Sequence, residues 1–419
     1  MNSIADFTPE IQQRMSSFAT WLGRNGFSRP ETKNIRCLLQ GMLTQHDVRL
    51  SVLSRSLKER ISPKKTWERL RRTLDRDGLS ERLTAAHSRR HRSAIRKKRY
   101  CIIDLSDIQK QYARKMEGLE RVRDGDRSRP GHAEIGNGYW WLNAVMADGA
   151  GFVPVYSEVY SLGHEGREHT GENTKLLAAV RTVAAVHPDA IYVLDRGGDR
   201  GTILDSMSTG RRRFIIRGQG QRSLRLHRDS TKSTNIETIA RRVRLTRRYR
   251  SSRGEVFDVG IRRVYYRKMS LWLVVSKRRK GGLSWYLTNV PGSRACVMDT
   301  VLEGYGLRWR VEEYHRQVKQ DYRLENIRLR NYAAIKNMVA LVMLATSFCA
   351  RLPEHLLIKL MAVAGRLPRR KIGDIPAYPY YMIVGAVAAA LALAVKRRTK
   401  PLRERKRDYL QMSLPLQAF

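Results

Sequence analysis

The chain has 419 residues with 81 Lys+Arg against 39 Asp+Glu, a formal charge of 81 − 39 = +42. A compact body with that charge repels itself, so an ordinary small-molecule enzyme is a poor account and a polyanionic partner, nucleic acid first, is the better one. Hydrophobic residues make up 42% of the chain, which excludes a disordered basic tail and leads us to expect two to four domains with real cores.

Residues 7–95 read as helical, with breaks at 26–30, at Ser62-Pro63 and at Gly78. Ser62 before Pro63 is an N-cap followed by a proline at the first helical position, and Trp67, Leu70 and Leu74 then recur at helical spacing to face a core. Lys65, Arg69 and Arg72 fall on the other side. A helix that packs on one face and meets phosphates with the other has this pattern, as does an ordinary solvated face. With the helical segment 50–57 before it, the helix forms a helix-turn-helix-like pair. Residues 1–99 are therefore expected to be a helical DNA-binding domain that ends in a basic linker at 89–99. His87 and His91, four apart among arginines and with no third ligand nearby, are expected on a solvated face and not on a metal.

From residue 100 the period changes. Strands are expected at 100–105, 138–147, 152–160, 190–194 and 213–217, with a helix at 173–186 and a short one after Asp199. Three strands, then helix, strand, helix, strand describe a mixed α/β sheet that begins antiparallel and continues parallel, an order that suits an RNase H-like layer. Residues 218–292 read as a mostly β insertion, with strands at 255–266, 271–276 and 284–290. Between 211 and 253 there are fifteen Lys+Arg and two acids, Asp229 and Glu237, a stretch expected to touch a nucleic-acid backbone. Beyond Asp299 the pattern is helical through Lys319 and on to Leu352. The apolar run 381–395 is shorter than the roughly 20 residues that span a bilayer and is expected to be a buried helix; 396–407 is a basic tail. The cysteines, Cys37, Cys101, Cys296 and Cys349, lack CxxC spacing and are expected to be reduced in apolar settings. No secretory signal is read at the N-terminus, and an intracellular chain is expected.

Asp104 follows the apolar run Cys101-Ile102-Ile103, and Asp195 follows Ile191-Tyr192-Val193-Leu194. Carboxylates placed after buried strands are held at the C-terminal edge of an α/β sheet, where such sheets keep their sites, and two on neighbouring strands invite a hard divalent cation. Either aspartate alone could be a turn former or cap, so their weight lies in combination. The third group is Glu312. On a continuous helix with Tyr305 at 0°, Arg308, Glu312, Arg316, Lys319 and Arg323 fall at about 300°, 340°, 20°, 320° and 0°. One face then carries a lone carboxylate among cations and an aromatic, which suits a metal ligand flanked by phosphate-gripping groups; surface i, i+4 ion pairs are the other reading.

Asp104, the element Asp195-Arg196-Gly197-Gly198-Asp199, and Tyr305-x2-Arg308-x3-Glu312-x6-Lys319 together resemble the DDE transposases of the insertion-sequence-four superfamily, of the bacterial cut-and-paste type. The last pattern matches that family's tyrosine, arginine, glutamate, lysine signature at every spacing. The resemblance implies an RNase H-like catalytic domain from 100–217 and 293–332, a β-rich insertion at 218–292 and a helical C-terminal region with a basic tail at 333–419. It also implies that Asp104, Asp195 and Glu312 hold two magnesium ions, with manganese able to substitute, for attack of water or a 3′-hydroxyl on DNA phosphate. Tyr305, Arg308 and Lys319 would position phosphates of the transposon ends, with Arg316 and Arg323 on the same face. Trp272 or Trp285 would hold a flipped base in a hairpin step, although strand tryptophans usually belong to a core. The implied partners are double-stranded DNA, both transposon ends and target, and a second copy of the chain in the end complex, with no membrane, at the nucleoid of a bacterial cytoplasm. Departures exist. Ser106 and Asp107 follow Asp104 where the family often has a threonine, so Asp107 stays a rival; Asp199 competes with Asp195, although helix capping would explain it. A domesticated DNA-binding relative without catalysis and an RNase H-like nuclease that cuts without joining are the alternative functions.

Overall fold

A computed structural model describes residues 4–125, 127–129, 131–149, 151–165, 171–279, 281–352, 384–385 and 387–392. The chain begins with helices α1 (Ile4–Arg24), α2 (Arg29–Gln45), α3 (Leu50–Ser56), α4 (Pro63–Leu74), α5 (Leu79–Arg90) and α6 (Arg92–Arg96). Two of them start where local chemistry says they should. Ser28 and Glu31 exchange hydrogen bonds in a capping box at α2, and Ser62 accepts from the Lys65 amide ahead of α4. A break that the apolar period does not signal falls at His46, whose φ of 51° separates α2 from α3. Leu70 and Leu74 are fully buried and Trp67 packs half-buried against the same core.

The next elements are β1 (Tyr100–Gln109), β2 (Glu120–Arg123), β3 (Ile135–Asp148), β4 (Gly151–Tyr160), α7 (Leu162–Glu165), α8 (Glu172–Val186), β5 (Ile191–Leu194), α9 (Gly201–Thr209) and β6 (Arg213–Arg217). Strands β4, β3 and β1 are antiparallel, and β1, β5 and β6 are parallel, giving the order β4-β3-β1-β5-β6. Period-two alternation divides β1 between two cores. Tyr100, Ile102 and Ile108 join one of them, and Cys101 and Ile103 join the other with Ala179 and Val183 of α8 and Ile203 and Leu204 of α9. The first strand is longer than expected, because all of it pairs with β3, from Tyr100 opposite Ala147 to Gln109 opposite Gly138. Asp104 is therefore inside β1 and does not end it.

Between 218 and 292 lie β7 (Ser223–Leu224), β8 (Thr234–Asn235), α10 (Ile236–Arg241), β9 (Arg247–Arg250), β10 (Val256–Tyr266), β11 (Met269–Arg278) and β12 (Leu283–Thr288). Strand β12 pairs antiparallel with β6, and β11, β10 and β9 follow it, so one ten-stranded mixed sheet runs from β2 to β9. Burial explains the join. Phe214, Ile215 and Ile216 are all fully buried, which makes β6 an interior strand that needs a partner on each side.

Helices α11 (Arg294–Gly306), α12 (Trp309–Asp321) and α13 (Tyr332–Ala350) replace the single helical stretch read beyond Asp299. Arg308 is the N-cap of α12, and Arg323, at φ 51°, lies past its end. Tyr305 and Arg323 are thus off the helix that carries Glu312, and the six-residue face is corrected to a shorter one. By length and composition α13 could cross a membrane, but 78% of its apolar window is buried in the protein, against β4, α2, α4 and α5. Val384, Val387, Ala390 and Leu391 are buried, and Thr8 donates to the Ala390 carbonyl at 3.0 Å. The remainder of 381–395 and the basic tail 396–407 lie outside the described residues.

Two smaller expectations are also corrected. Cys296 is exposed in the first turn of α11, whereas Cys101 and Cys349 are buried. His87 is not solvated: it is 1% exposed between α5 and β4, with Nε2 donating to the Pro154 carbonyl at 2.9 Å and the His91 ring 4.7 Å away. Burial pushes its pKa down to about 4.

Candidate active site

The register of β1 with β5 pairs Ile102 with Val193. Two residues further along each strand stand Asp104 and Asp195, so the two carboxylates leave neighbouring strands at the same level. Asp195 caps a short 3-10 turn at Arg196–Gly198, its Oδ1 accepting from the Gly197 amide at 2.8 Å. The two glycines of this element have a steric reason. A Cβ on Gly197 would stand 3.0 Å from Asp195 Oδ1, and one on Gly198 would stand 2.5 Å from Leu194 Cβ. Only glycine lets the chain turn this tightly against the strand it has just left.

Glu312 arrives from the first turn of α12. The Arg308 guanidinium donates to Asp104 Oδ2 at 3.3 Å and also to Glu312 Oε1, so groups from β1 and α12 meet on one cation. The Asp104 side chain is 15% exposed. Burial pushes its pKa up to about 7; Arg308 works against the rise, and Asp195 and Glu312 add to it. For Arg308, burial disfavours the charge, but Asp104, Glu312, Tyr305 and Asp195 outweigh it and the guanidinium pKa goes up. Asp104 and Arg308 feel each other and both feel Asp195 and Glu312, so the three carboxylates and Arg308 form one electrostatic cluster.

The donor chemistry fits a divalent cation. All three carboxylates offer hard oxygens, and a positive group, Arg308, already stands between two of them. Asn143, paired with Asp104 across β1 and β3, has a buried Oδ1 with no hydrogen-bond partner among the described residues. Among the described residues no three His, Cys, Asp or Glu side chains converge on one point, the Arg308 guanidinium lying between Asp104 and Glu312.

The two rival aspartates have other work. Asp107 is 3% exposed and accepts from the Gly125 amide at 3.1 Å, from Gln109 Nε2 at 2.9 Å and from Lys319 Nζ at 3.4 Å. Asp199 has a fully buried side chain that accepts from the Gln219 amide at 2.7 Å and from Arg222 Nε at 2.8 Å. It does not cap α9, whose N-cap is Arg200, although its amide closes the 3-10 turn Arg196–Gly198 by donating to the Arg196 carbonyl. Helix capping is therefore replaced by a buried ion pair that ties the end of β5 to the start of the insertion.

The expected cations are distributed more widely than one helix face. Lys319 pairs with Asp107 and lies 3.7 Å from Glu325. Tyr305 stacks near Tyr286, ring centroids 4.7 Å apart, with the Arg217 guanidinium 6.0 Å from its ring. Arg316 is exposed on α12, and Arg323 lies 3.9 Å from Asp47 in the N-terminal helices. Lys65 and Arg72 are exposed on α4, but Arg69 is bonded to Glu59 and Asn34 and is not available as a free phosphate contact. Within 211–253, Arg222, Arg241 and Arg247 likewise pair with Asp199, Glu237 and Asp299. Trp272 is half-buried with the Arg263 guanidinium 3.5 Å from its ring, and Trp285 is half-buried with an Nε1 that has no partner among the described residues.

Two side chains near the carboxylates were not singled out from sequence. Asn143 Nδ2 donates to His315 Nε2 at 3.0 Å, and burial, with Lys319 and Arg308 adding to it, pushes the His315 pKa down to about 3. The signal for His315 was available: it is three residues after Glu312, on the same side of α12. A cleft of about 670 Å³ leads away from Glu312 and Arg308 past Tyr305 and Trp309 to Arg253 and Arg278.

A family model described as a transposase DDE domain matches residues 145–348. The matched stretch contains Asp195, Glu312 and the Tyr305 to Lys319 spacing, and it begins after β1, so Asp104 is placed by the sheet alone. The match supports a DDE transposase; transposases act on DNA, and DDE transposases generally use divalent metal ions. No curated protein matches the chain.

Proposed function

We propose that the chain is a DNA transposase that cuts DNA at the ends of a mobile element and joins those ends to a target, with Asp104, Asp195 and Glu312 as its catalytic carboxylates. One observation carries the reading: the β1–β5 register puts Asp104 and Asp195 level on adjacent parallel strands while Arg308 draws Glu312 to Asp104. The strand order β4-β3-β1-β5-β6 supports an RNase H-like catalytic domain, and the Tyr305, Arg308, Glu312, Lys319 spacing supports the insertion-sequence-four assignment. Asp104, Asp195 and Glu312 would hold two magnesium ions, which when bound supply Lewis-acid stabilisation of phosphoryl oxygens and an oxygen nucleophile at neutral pH.

The remaining work falls to this chain's own side chains. Arg308 holds Asp104 and Glu312 in mutual proximity before DNA arrives, so little reorganisation is needed at the reacting phosphate. Arg217, Arg253 and Arg278 offer charge to a DNA strand that follows the cleft toward Glu312, and Tyr305 and Trp309 offer rings for its sugars or bases. His315, kept neutral by burial, and Asn143 brace α12 on β3, the strand that pairs with β1, and so hold the helix of Glu312 near the strand of Asp104. Two copies of the chain would each hold one element end.

The test is product analysis. The protein is incubated with magnesium and DNA carrying several hundred base pairs from either side of its own coding sequence, together with a plasmid. Cut ends joined to the plasmid support the proposal. Cutting without joining would make the protein a nuclease, and binding without cutting would make it a DNA-binding relative that has lost catalysis.

A further inference from the structure

Five residues beyond Asp104, β1 ends at Gln109 in a second cleft, about 840 Å³ in volume. Its walls are the loop 110–119, the hairpin of β2 and β3, and the segment 325–330 that follows α12. Six exposed cations line it, Arg114, Lys115, Arg121, Arg127, Arg328 and Arg330, against three acids. Two of the acids are engaged: Asp124 is 3.7 Å from Arg127, and Glu325 is 3.7 Å from Lys319. Among the described residues Arg114, Lys115, Arg328 and Arg330 form no ion pair. Beside them Tyr112 is 90% exposed and Ile135 54%, two of the four large hydrophobic side chains left exposed among the described residues.

A solvated face could carry loose charges, but this cleft has a built floor. Lys110 is 8% exposed, and its ammonium donates to the carbonyls of Glu325 and Ile327. The Glu117 amide donates to the Arg330 carbonyl at 2.9 Å, Tyr139 donates to the Glu117 carbonyl at 2.7 Å, and Asn137 Nδ2 donates to the Ala113 carbonyl at 3.3 Å. These bonds fix the cleft to β1 and to the chain leaving α12, the two elements that carry Asp104 and Glu312.

We infer that this cleft grips the backbone of the target duplex; the inference rests on the transposase reading. The carboxylates lie between two basic regions, the insertion beyond β6 on one side of the sheet and this cleft beyond β1 and β3 on the other. Strand joining needs two duplexes to meet at the carboxylates, one from each side. The charged groups that line the cleft are mostly cations, six exposed ones against three acids, which suits a duplex held by its phosphates. Five strand residues span about 17 Å, or about five phosphate steps at 3.4 Å, so a backbone seated in the cleft reaches the carboxylates within a few nucleotides.

The test uses the full chain with two double charge reversals, Arg114→Glu with Lys115→Glu and Arg328→Glu with Arg330→Glu, and with Tyr112→Ala. All five side chains are exposed, and unchanged melting curves establish that the variants are folded. With end-bearing DNA and a supercoiled plasmid as target, each double variant should cut ends within about twofold of wild type yet join them to plasmid at least tenfold less well. Raising the plasmid concentration should restore joining. A parallel fall in end cutting would assign the cleft to element ends and overturn the inference, as would joining at the wild-type level. Plasmid binding without ends is measured separately. Each DNA phosphate that a variant no longer neutralises should reduce the salt slope of log K by about 0.9. An unchanged plasmid affinity and slope overturns the inference even if the wild-type protein cuts nothing, an outcome that would sink the transposase reading instead.

Discussion

The burial of His87 predicts that acid weakens the seam between the N-terminal helices and the sheet. Its Nε2 proton already goes to the Pro154 carbonyl, so a second proton on the ring must be accommodated in a site 1% exposed beside the His91 ring. A histidine whose folded pKa falls from 6.5 to about 4 contributes no penalty above its unfolded pKa and destabilises the fold as pH drops through the interval between the two values. Between pH 7 and pH 5 that difference amounts to roughly 2 kcal/mol, a large fraction of a typical folding free energy. His91, whose pKa is also pushed down, by burial first and then by His87, acts in the same direction. Urea unfolding of the wild type and of His87→Gln, which keeps a donor for the carbonyl, would be compared at the two pH values. The variant should lose about 2 kcal/mol less than wild type on acidification, whatever its stability at pH 7. Equal losses, or a His87 titration observed by NMR near 6.5, would refute the reasoning.

Asp104→Asn, Asp195→Asn and Glu312→Gln should each abolish strand cutting while end binding, read by gel shift, stays near wild type; cutting at the wild-type rate removes that residue from the site. Arg308→Lys should restore only part of the activity lost in Arg308→Ala, because an ammonium cannot bond two carboxylates with the planar geometry of a guanidinium, and equal rates for lysine and arginine would argue against it. Asp199→Ala removes the buried carboxylate that accepts from Arg222 and from the Gln219 amide, while Arg222, 18% exposed, keeps its bond to the carbonyl of residue 199; the change should cost about 1–3 kcal/mol, measured by chemical denaturation, with no measurable loss contradicting the assigned role. Gly198→Ala forces a Cβ against the Leu194 side chain and should destabilise by about 1–3 kcal/mol, with a melting temperature equal to wild type as the contrary result.

The parts of the fold that were legible in the sequence are those whose neighbours are local. Residues 213–217 read as a strand, and β6 has those limits, because an unbroken apolar centre with an arginine at each end is a pattern that needs no knowledge of partners. Asp195 stood out because Ile191–Leu194 is an apolar run that ends at it. β1 was read only in its apolar first half: Ser106 and Asp107 break the pattern, and what holds them extended is the distant strand β3. The helix wheel placed Arg308 and Glu312 well but extended the face too far in both directions, since it presumes an unbroken helix from Tyr305 to Arg323. No proline marks the breaks. The engagement of Arg69 by Glu59 and Asn34, and the pairing of Asp107 with Lys319, depend on contacts across the fold that a charge count cannot contain.

The pairing of β12 with β6 has a mechanical consequence. Tyr286, Leu287 and Thr288 lie in register with Arg217, Ile216 and Ile215; Thr288 also donates to the Phe214 carbonyl at 2.5 Å, and Asn289 bonds the Phe214 amide at 2.9 Å and the Arg212 carbonyl at 2.7 Å. A swing of the insertion about this seam would break several backbone and side-chain bonds together, each worth about 0.5–1.5 kcal/mol net and more if left unsatisfied in the interior. The insertion is therefore joined stiffly to the rest of the sheet. On the function proposed above, whatever curvature, unstacking or twist brings a scissile bond to Asp104 would be supplied by the more compliant body, the DNA.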